Sequence, residues 1–195
     1  MQGKFSAFGS EYSGNFSTDA KEIIFEGDKN MPLFYQTVLS GFETALPSKE
    51  VKNGIEISRE YTTLDGATLK NPKVGDDVLV KISYRAVGGA SLLRNVAIVD
   101  LQPSCLEVNI ESVRESAGLN GGSASSDKLP DYVDSREDRI VIYTSVKNSV
   151  GSFAYKAKLV NSGSFVVPPL FAECMYDESV NARTVQGKLE VSAAK

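Results

Sequence analysis

Histidine is absent from all 195 residues, and so is tryptophan. Without imidazole there is no Ser-His-Asp or Cys-His nucleophile, and no zinc site that needs a histidine ligand. Cysteine occurs twice, at Cys105 and Cys174, too seldom for a four-thiolate site within the chain. There is no run of 18 apolar residues, so no segment reads as a helix that spans a bilayer. Met1–Gly9 lacks the apolar centre of an export signal. Lys and Arg are scattered and outnumbered, 21 against 25 acids. Duplex binding draws on clustered bases that neutralise phosphates, so no nucleic-acid partner is expected.

What remains is a globular composition, 42% hydrophobic and 24% charged, in a chain long enough to bury a core without staples. Its dominant period is two. Val78, Val80, Ile82 and Tyr84 alternate with Lys81, Ser83 and Arg85, and Phe153, Tyr155, Ala157 and Leu159 with Lys156 and Lys158. Leu106, Val108 and Ile110 alternate with Glu107, Asn109 and Glu111. Such alternation marks half-buried strands. Further strands are expected at Gly54–Tyr61, Leu93–Leu101, Arg139–Thr144, Ser164–Pro168 and Lys188–Ser192. Turn chemistry at Asn53-Gly54, Asp65-Gly66, Val87-Gly88-Gly89 and Asn161-Ser162-Gly163 separates them. No amphipathic helix of ten or more residues stands out. The pattern predicts an all-β fold, an antiparallel β-sandwich of about seven to eight strands over residues 46–195.

Residues 1–45 read as a separate β segment with strands at Lys4–Phe8, Lys21–Gly27 and Pro32–Ser40, the last two closed by Asp28-Lys29-Asn30. Three strands alone bury too little to be robust, so this segment should lean on the sandwich or on something beyond the chain. Residues 41–53, with Pro47, form the joint. Between Glu115 and Ser135 the chain is rich in Gly, Ser and Asp. That composition suits a surface excursion, either a plain loop or one that docks a partner.

Few residues offer chemistry. Asp127, Asp131, Asp134, Glu137 and Asp138 supply oxygens of the kind calcium takes. Their spacing matches no EF-hand and lacks its glycine, so they read as a solvated acidic loop and no metal is expected. Asp76-Asp77 follows Gly75 and reads as a turn. Gly88-Gly89 and Gly121-Gly122 lack the strand-to-helix setting of phosphate loops. Ser125 and Lys128 have serine-lysine spacing but no partner motif. No catalytic residue and no cofactor are implied. In a reducing compartment Cys105 and Cys174 would be small hydrophobes; in an oxidising one they could pair if their Cα atoms lie within about 7 Å.

The most unusual segment is Val166-Val-Pro-Pro-Leu-Phe-Ala-Glu-Cys-Met-Tyr-Asp177. An apolar strand runs through two prolines to Met175-Tyr176, followed by a polar loop to Arg183. Adjacent prolines deny two ladder donors and suit an edge strand. Taken alone, Met175 and Tyr176 read as core residues.

The stretch FVVPPLFAECMYDESVNARTVQGKLEV resembles the C-terminal end of bacterial alpha-2-macroglobulins. So do GIEISREYTTLDGATL with VGDDVLVKISYRA, NVAIVDLQPSCLEV and SREDRIVIYTSV, in the family's order. The resemblance covers residues 50–195. KNMPLFYQTVLSGF resembles the CUB-like segment before that domain. The resemblance implies a fibronectin-III-like macroglobulin domain at the C-terminus of a large periplasmic protease inhibitor, its parent being lipid-anchored or free. In that family a protease cuts a bait region and an internal thioester can acylate it. Such a domain is not an enzyme; its partners are the thioester domain of the parent and, through the whole protein, target proteases. No Cys-x-Glu-Gln thioester motif occurs here: Leu106-Glu107-Val108 follows Cys105, and Met175-Tyr176-Asp177 follows Cys174. Met175-Tyr176 matches by position a Met-Tyr pair that shields the family's thioester, and it is then expected to be exposed in this chain. Neither cysteine inherits a role. A generic surface sandwich for adhesion or carbohydrate binding is the competing reading, although Tyr132 is the only aromatic of the long loop.

Overall fold

The computed structural model describes residues 48–118 and 129–194. The expected β segment over 1–45 lies outside the described residues, as do residues 119–128 of the long loop and Asp127 of the acidic group. Twelve strands and one helix follow in chain order: β1 (Val51–Asn53), β2 (Ile55–Thr62), β3 (Asp77–Ala86), β4 (Leu92–Leu101), β5 (Leu106–Val108), α1 (Ile110–Ser116), β6 (Tyr132–Ser135), β7 (Arg139–Lys147), β8 (Gly151–Leu159), β9 (Gly163–Val167), β10 (Phe171–Cys174), β11 (Asp177–Arg183) and β12 (Gly187–Val191). A six-stranded sheet, β1-β11-β10-β4-β7-β6, faces a four-stranded one, β2-β3-β8-β5, and β9 and β12 form a two-stranded ribbon. Every pairing of these strands is antiparallel. The sandwich class expected from the alternation is what forms. The strand number is higher by β1, β6 and β10, which have only three or four residues, and by the polar β11.

The alternating residues make the core. Val78, Val80 and Ile82 of β3 and Tyr155 and Leu159 of β8 are buried against Val96 and Ile98 of β4 and Ile140, Ile142 and Val146 of β7. Burying each such aliphatic side chain contributes about 1.5–3 kcal/mol. Gly54 lets the chain step from β1 in one sheet to β2 in the other. Its φ is +76°, and a Cβ there would meet a Val180 methyl at 3.2 Å, so glycine satisfies both backbone and packing.

Three local expectations are corrected. The alternation of Leu106, Val108 and Ile110 does not run on as a strand: β5 stops at Val108 and Ile110 opens α1. Asn109 caps the helix, its Oδ1 accepting from Ser112 N at 3.0 Å. Ser112 Oγ then accepts from Lys156 N at 2.8 Å and Ser116 Oγ donates to Ala154 O. Two serines four residues apart thus satisfy backbone groups of β8 that a longer β5 would have paired.

Second, the strand leading to Met175 is not an edge. β10 lies between β4 and β11. Pro168 and Pro169 fall between β9 and β10, where the chain leaves the ribbon for the six-stranded sheet, so neither ladder loses a donor. Third, Asp177–Arg183 is a strand and not a polar loop. It is paired on both sides, by β1 and β10, although Val180 and Ala182 are its only apolar residues.

Candidate functional site

β10 and β11 close as a hairpin. Cys174 is the register partner of Asp177, which leaves Met175 and Tyr176 as a two-residue turn. The backbone of this tip is tied to the neighbouring strand. Met175 N donates to Asn95 O at 2.9 Å, and Cys174 Sγ donates to Arg94 O at 3.2 Å. Arg94 and Asn95 occupy the place where the β4–β7 register shifts, between Leu93 and Val96. Asn95 has φ +55°, a conformation asparagine tolerates better than most residues. On the far side Asp177 Oδ1 accepts from Ser179 N at 3.1 Å and Ser179 Oγ at 2.6 Å.

The side chains of the turn are bare. Met175 is 49% exposed and Tyr176 82%, so neither belongs to the core. The turn presents a thioether and a phenol on a fixed backbone. They can bury apolar area against a partner and give one hydroxyl for orientation.

The other residues singled out in the sequence do not converge here. The pairing left open between Cys105 and Cys174 is not formed, and both thiols are free. Cys174 is level with Val96 on β4. Cys105 lies beyond Leu101, five residues or roughly 17 Å further along that strand, so the 7 Å limit is far exceeded. Burial raises the pKa of Cys105, which disfavours the reactive thiolate. Asp134 and Asp138 pair with Arg136 and Arg139. Among the described residues no group of acidic, cysteine or histidine side chains could hold a metal ion. Asp76 Oδ2 accepts from Lys73 N at 2.8 Å, a turn as expected.

A polar cluster that sequence reasoning missed sits at the other end of β10. Arg59 of β2 donates to the Asp100 carboxylate of β4 and to the carbonyl of Pro168, just before β10. The Arg59 and Asp100 side chains are 5% and 0% exposed. Tyr155 Oη of β8 donates to Asp100 Oδ2 at 2.7 Å and accepts from Gln102 Nε2 at 2.7 Å. The Arg59 guanidinium lies 5.4 Å from the Tyr61 ring centre. Burial, then the Asp100 charge, raises the Tyr155 pKa. This cluster ties both sheets to the proline crossover. A signal existed: Arg59 falls in phase with Ile55 and Ile57, and Asp100 with Val96 and Ile98, so each charge stands where its strand turns inward.

Residues 54–179 match the family described as "Bacterial Alpha-2-macroglobulin MG10 domain". The chain belongs to the bacterial alpha-2-macroglobulin family. It is 36% identical over 188 residues to an alpha-2-macroglobulin homolog of Yersinia pestis, a match covering 88% of this chain and 9% of that relative. Native Escherichia coli alpha-2-macroglobulin, solved from domain MG7 to the C-terminus, has a similar fold with a TM-score of 0.64. It is 24% identical and covers 78% of this chain, which spans 25% of that structure. Salmonella alpha-2-macroglobulin reacted with methylamine gives a TM-score of 0.62 at 22% identity, over 78% of this chain and 10% of that one. The chain thus spans a small part of these alpha-2-macroglobulins. Among the described residues no helix is long and apolar enough to cross a membrane.

Proposed function

We propose that this domain is a non-catalytic interaction module of a periplasmic protease inhibitor, and that its β10–β11 tip shields a thioester in a neighbouring domain of the parent protein until a protease cleaves the parent's bait region. The observation that carries this reading is the contrast between backbone and side chains at the tip. Met175 N is held by Asn95 O at 2.9 Å while the Tyr176 ring is 82% exposed. A thioester is lost to water, so its cover must be apolar and must sit in one place. Burying one such side chain contributes about 1.5–3 kcal/mol, enough to hold a resting state and little enough to release on activation.

Relatives support the setting. A Salmonella alpha-2-macroglobulin is described as reacted with methylamine, and an Escherichia coli one as activated by porcine elastase. Methylamine is a small nucleophile of the kind that opens a thioester. The test is made in the full-length parent. Tyr176→Gly speeds the methylamine-dependent appearance of free thiol several-fold, while the fold of this domain is unchanged. An unaltered rate rejects the shielding role.

A further inference from the structure

Strand directions bring four connections to one end of the sandwich: β1 to β2 at Gly54, β3 to β4, β7 to β8, and the β10–β11 turn. The β7–β8 connection, residues 148–150, crosses from the six-stranded to the four-stranded sheet. Its backbone is held on both sides. Asn148 N donates to Ser91 O at 3.3 Å. Gly151, which opens β8, lies under the Tyr84 ring so closely that a Cβ there would meet it at 2.5 Å. Val150 between them is nevertheless 67% exposed. Turn chemistry does not account for it, since Asn, Asp, Ser and Gly are the residues that serve tight connections. A bare, β-branched apolar side chain here supports neither the backbone nor the core.

Met175 and Tyr176 repeat that construction, a tied backbone with apolar side chains left to solvent. Tyr176 and Val150 are the two most exposed large apolar side chains among the described residues, and both sit on turns of this end. The start of β4 joins them. Exposed Leu92 is the register partner of Lys147, which leads into the β7–β8 connection. Three residues on, about 10 Å along the strand, Asn95 O accepts from Met175 N. The β3–β4 connection carries exposed Gly88 and Gly89, which raise no side chain in front of a partner. The exposed charges Arg94, Lys147, Asp177 and Glu178 are of both signs, so apolar area and not net charge distinguishes this end.

We propose that Val150 is a second anchor for the thioester-bearing domain that the tip covers, with Leu92 between the two turns, an inference that rests on the shielding role and extends the surface it uses. One point of contact lets a cover tilt, and a tilted cover admits water. Two separated points fix its angle. The chain spans only 9% of the length of its Yersinia relative, so the partner is a domain of the same parent chain. Linkage supplies an effective concentration in the mM range, which keeps a contact of a few side chains closed without the area that two free proteins need.

The test uses the full-length parent and reads the methylamine-dependent appearance of free thiol. Val150→Asp speeds it several-fold, and Val150→Ser, a milder change at the same exposed position, speeds it less. Leu64→Asp, at an exposed leucine of the β2–β3 connection on the opposite end of the sandwich, leaves the rate at that of wild type. Tyr176→Gly is measured beside them. A faster rate in Tyr176→Gly with wild-type rates in both Val150 variants overturns the second anchor and leaves the shield standing. Wild-type rates in Tyr176→Gly and in both Val150 variants overturn the shield and the anchor together. A rate in Leu64→Asp as fast as in Val150→Asp overturns the anchor as well, because the effect then does not belong to this end.

Discussion

The two ends of β10 are built on opposite principles. At the Pro168 end, polar groups are buried and bonded: Arg59, Asp100, Tyr155 and the Pro168 carbonyl form one connected set. At the Met175 end, the backbone is bonded and the side chains are left to solvent. Bonded, buried polar groups are concentrated at the first end and exposed apolar area at the second. Four residues of β10 separate the bonded crossover from the tip, whose side chains have no core of their own.

The largest effect that would break this contrast is expected at Asp100. Asp100→Ala leaves the Arg59 guanidinium buried without its partner and costs about 3–5 kcal/mol in urea denaturation. Replacing both, as R59M/D100L, recovers most of that loss if the pair serves orientation more than stability. A double variant as unstable as the single one shows that the cluster is needed for stability itself. Next comes Tyr155→Phe, which removes the hydrogen bond to the Asp100 carboxylate and costs about 1.5–3 kcal/mol by the same measurement.

Tyr61→Phe sharpens the comparison from within the same region. The Tyr61 hydroxyl is buried and has no hydrogen-bond partner among the described residues, so its removal is neutral or slightly stabilising at pH 7. Burial raises the Tyr61 pKa, partly offset by Arg59. A raised pKa in the fold means full stability below the ordinary value of 10.0 and loss as pH rises above it. Wild-type melting temperature therefore drops above about pH 10, and the drop is shallower in Tyr61→Phe. A slope unchanged by that substitution assigns the alkaline loss to the other buried groups with raised pKa, Tyr84, Cys105 and Tyr155. The smallest stability effect is expected at the tip. Tyr176→Gly stays within about 0.5 kcal/mol of wild type, and a larger loss would mean that the turn supports the fold.

The strands with one wet face were legible because alternation is a direct consequence of a sheet with one dry side. β3 and β8 show it cleanly. The short strands were not, since β10 is set by its neighbours on both sides and β11 offers two apolar residues in seven. α1 was hidden because Leu106, Val108 and Ile110 keep period two across a helix start whose marker is the single cap Asn109. Met175 and Tyr176 were found through the order of motifs around them, not by any local property. The Arg59 cluster draws on positions 59, 100, 102 and 155, too dispersed for spacing to reveal. The polar outer face of the four-stranded sheet followed from the pattern.

The β10–β11 register shifts between Glu173 and Cys174, so residues 178–180 have no direct partner on β10. A residue inserted at the turn is taken up in that irregular stretch, and Ala182 keeps its place opposite Ala172. Changes of length at the fingertip thus end at the bulge and leave the root of the finger in place.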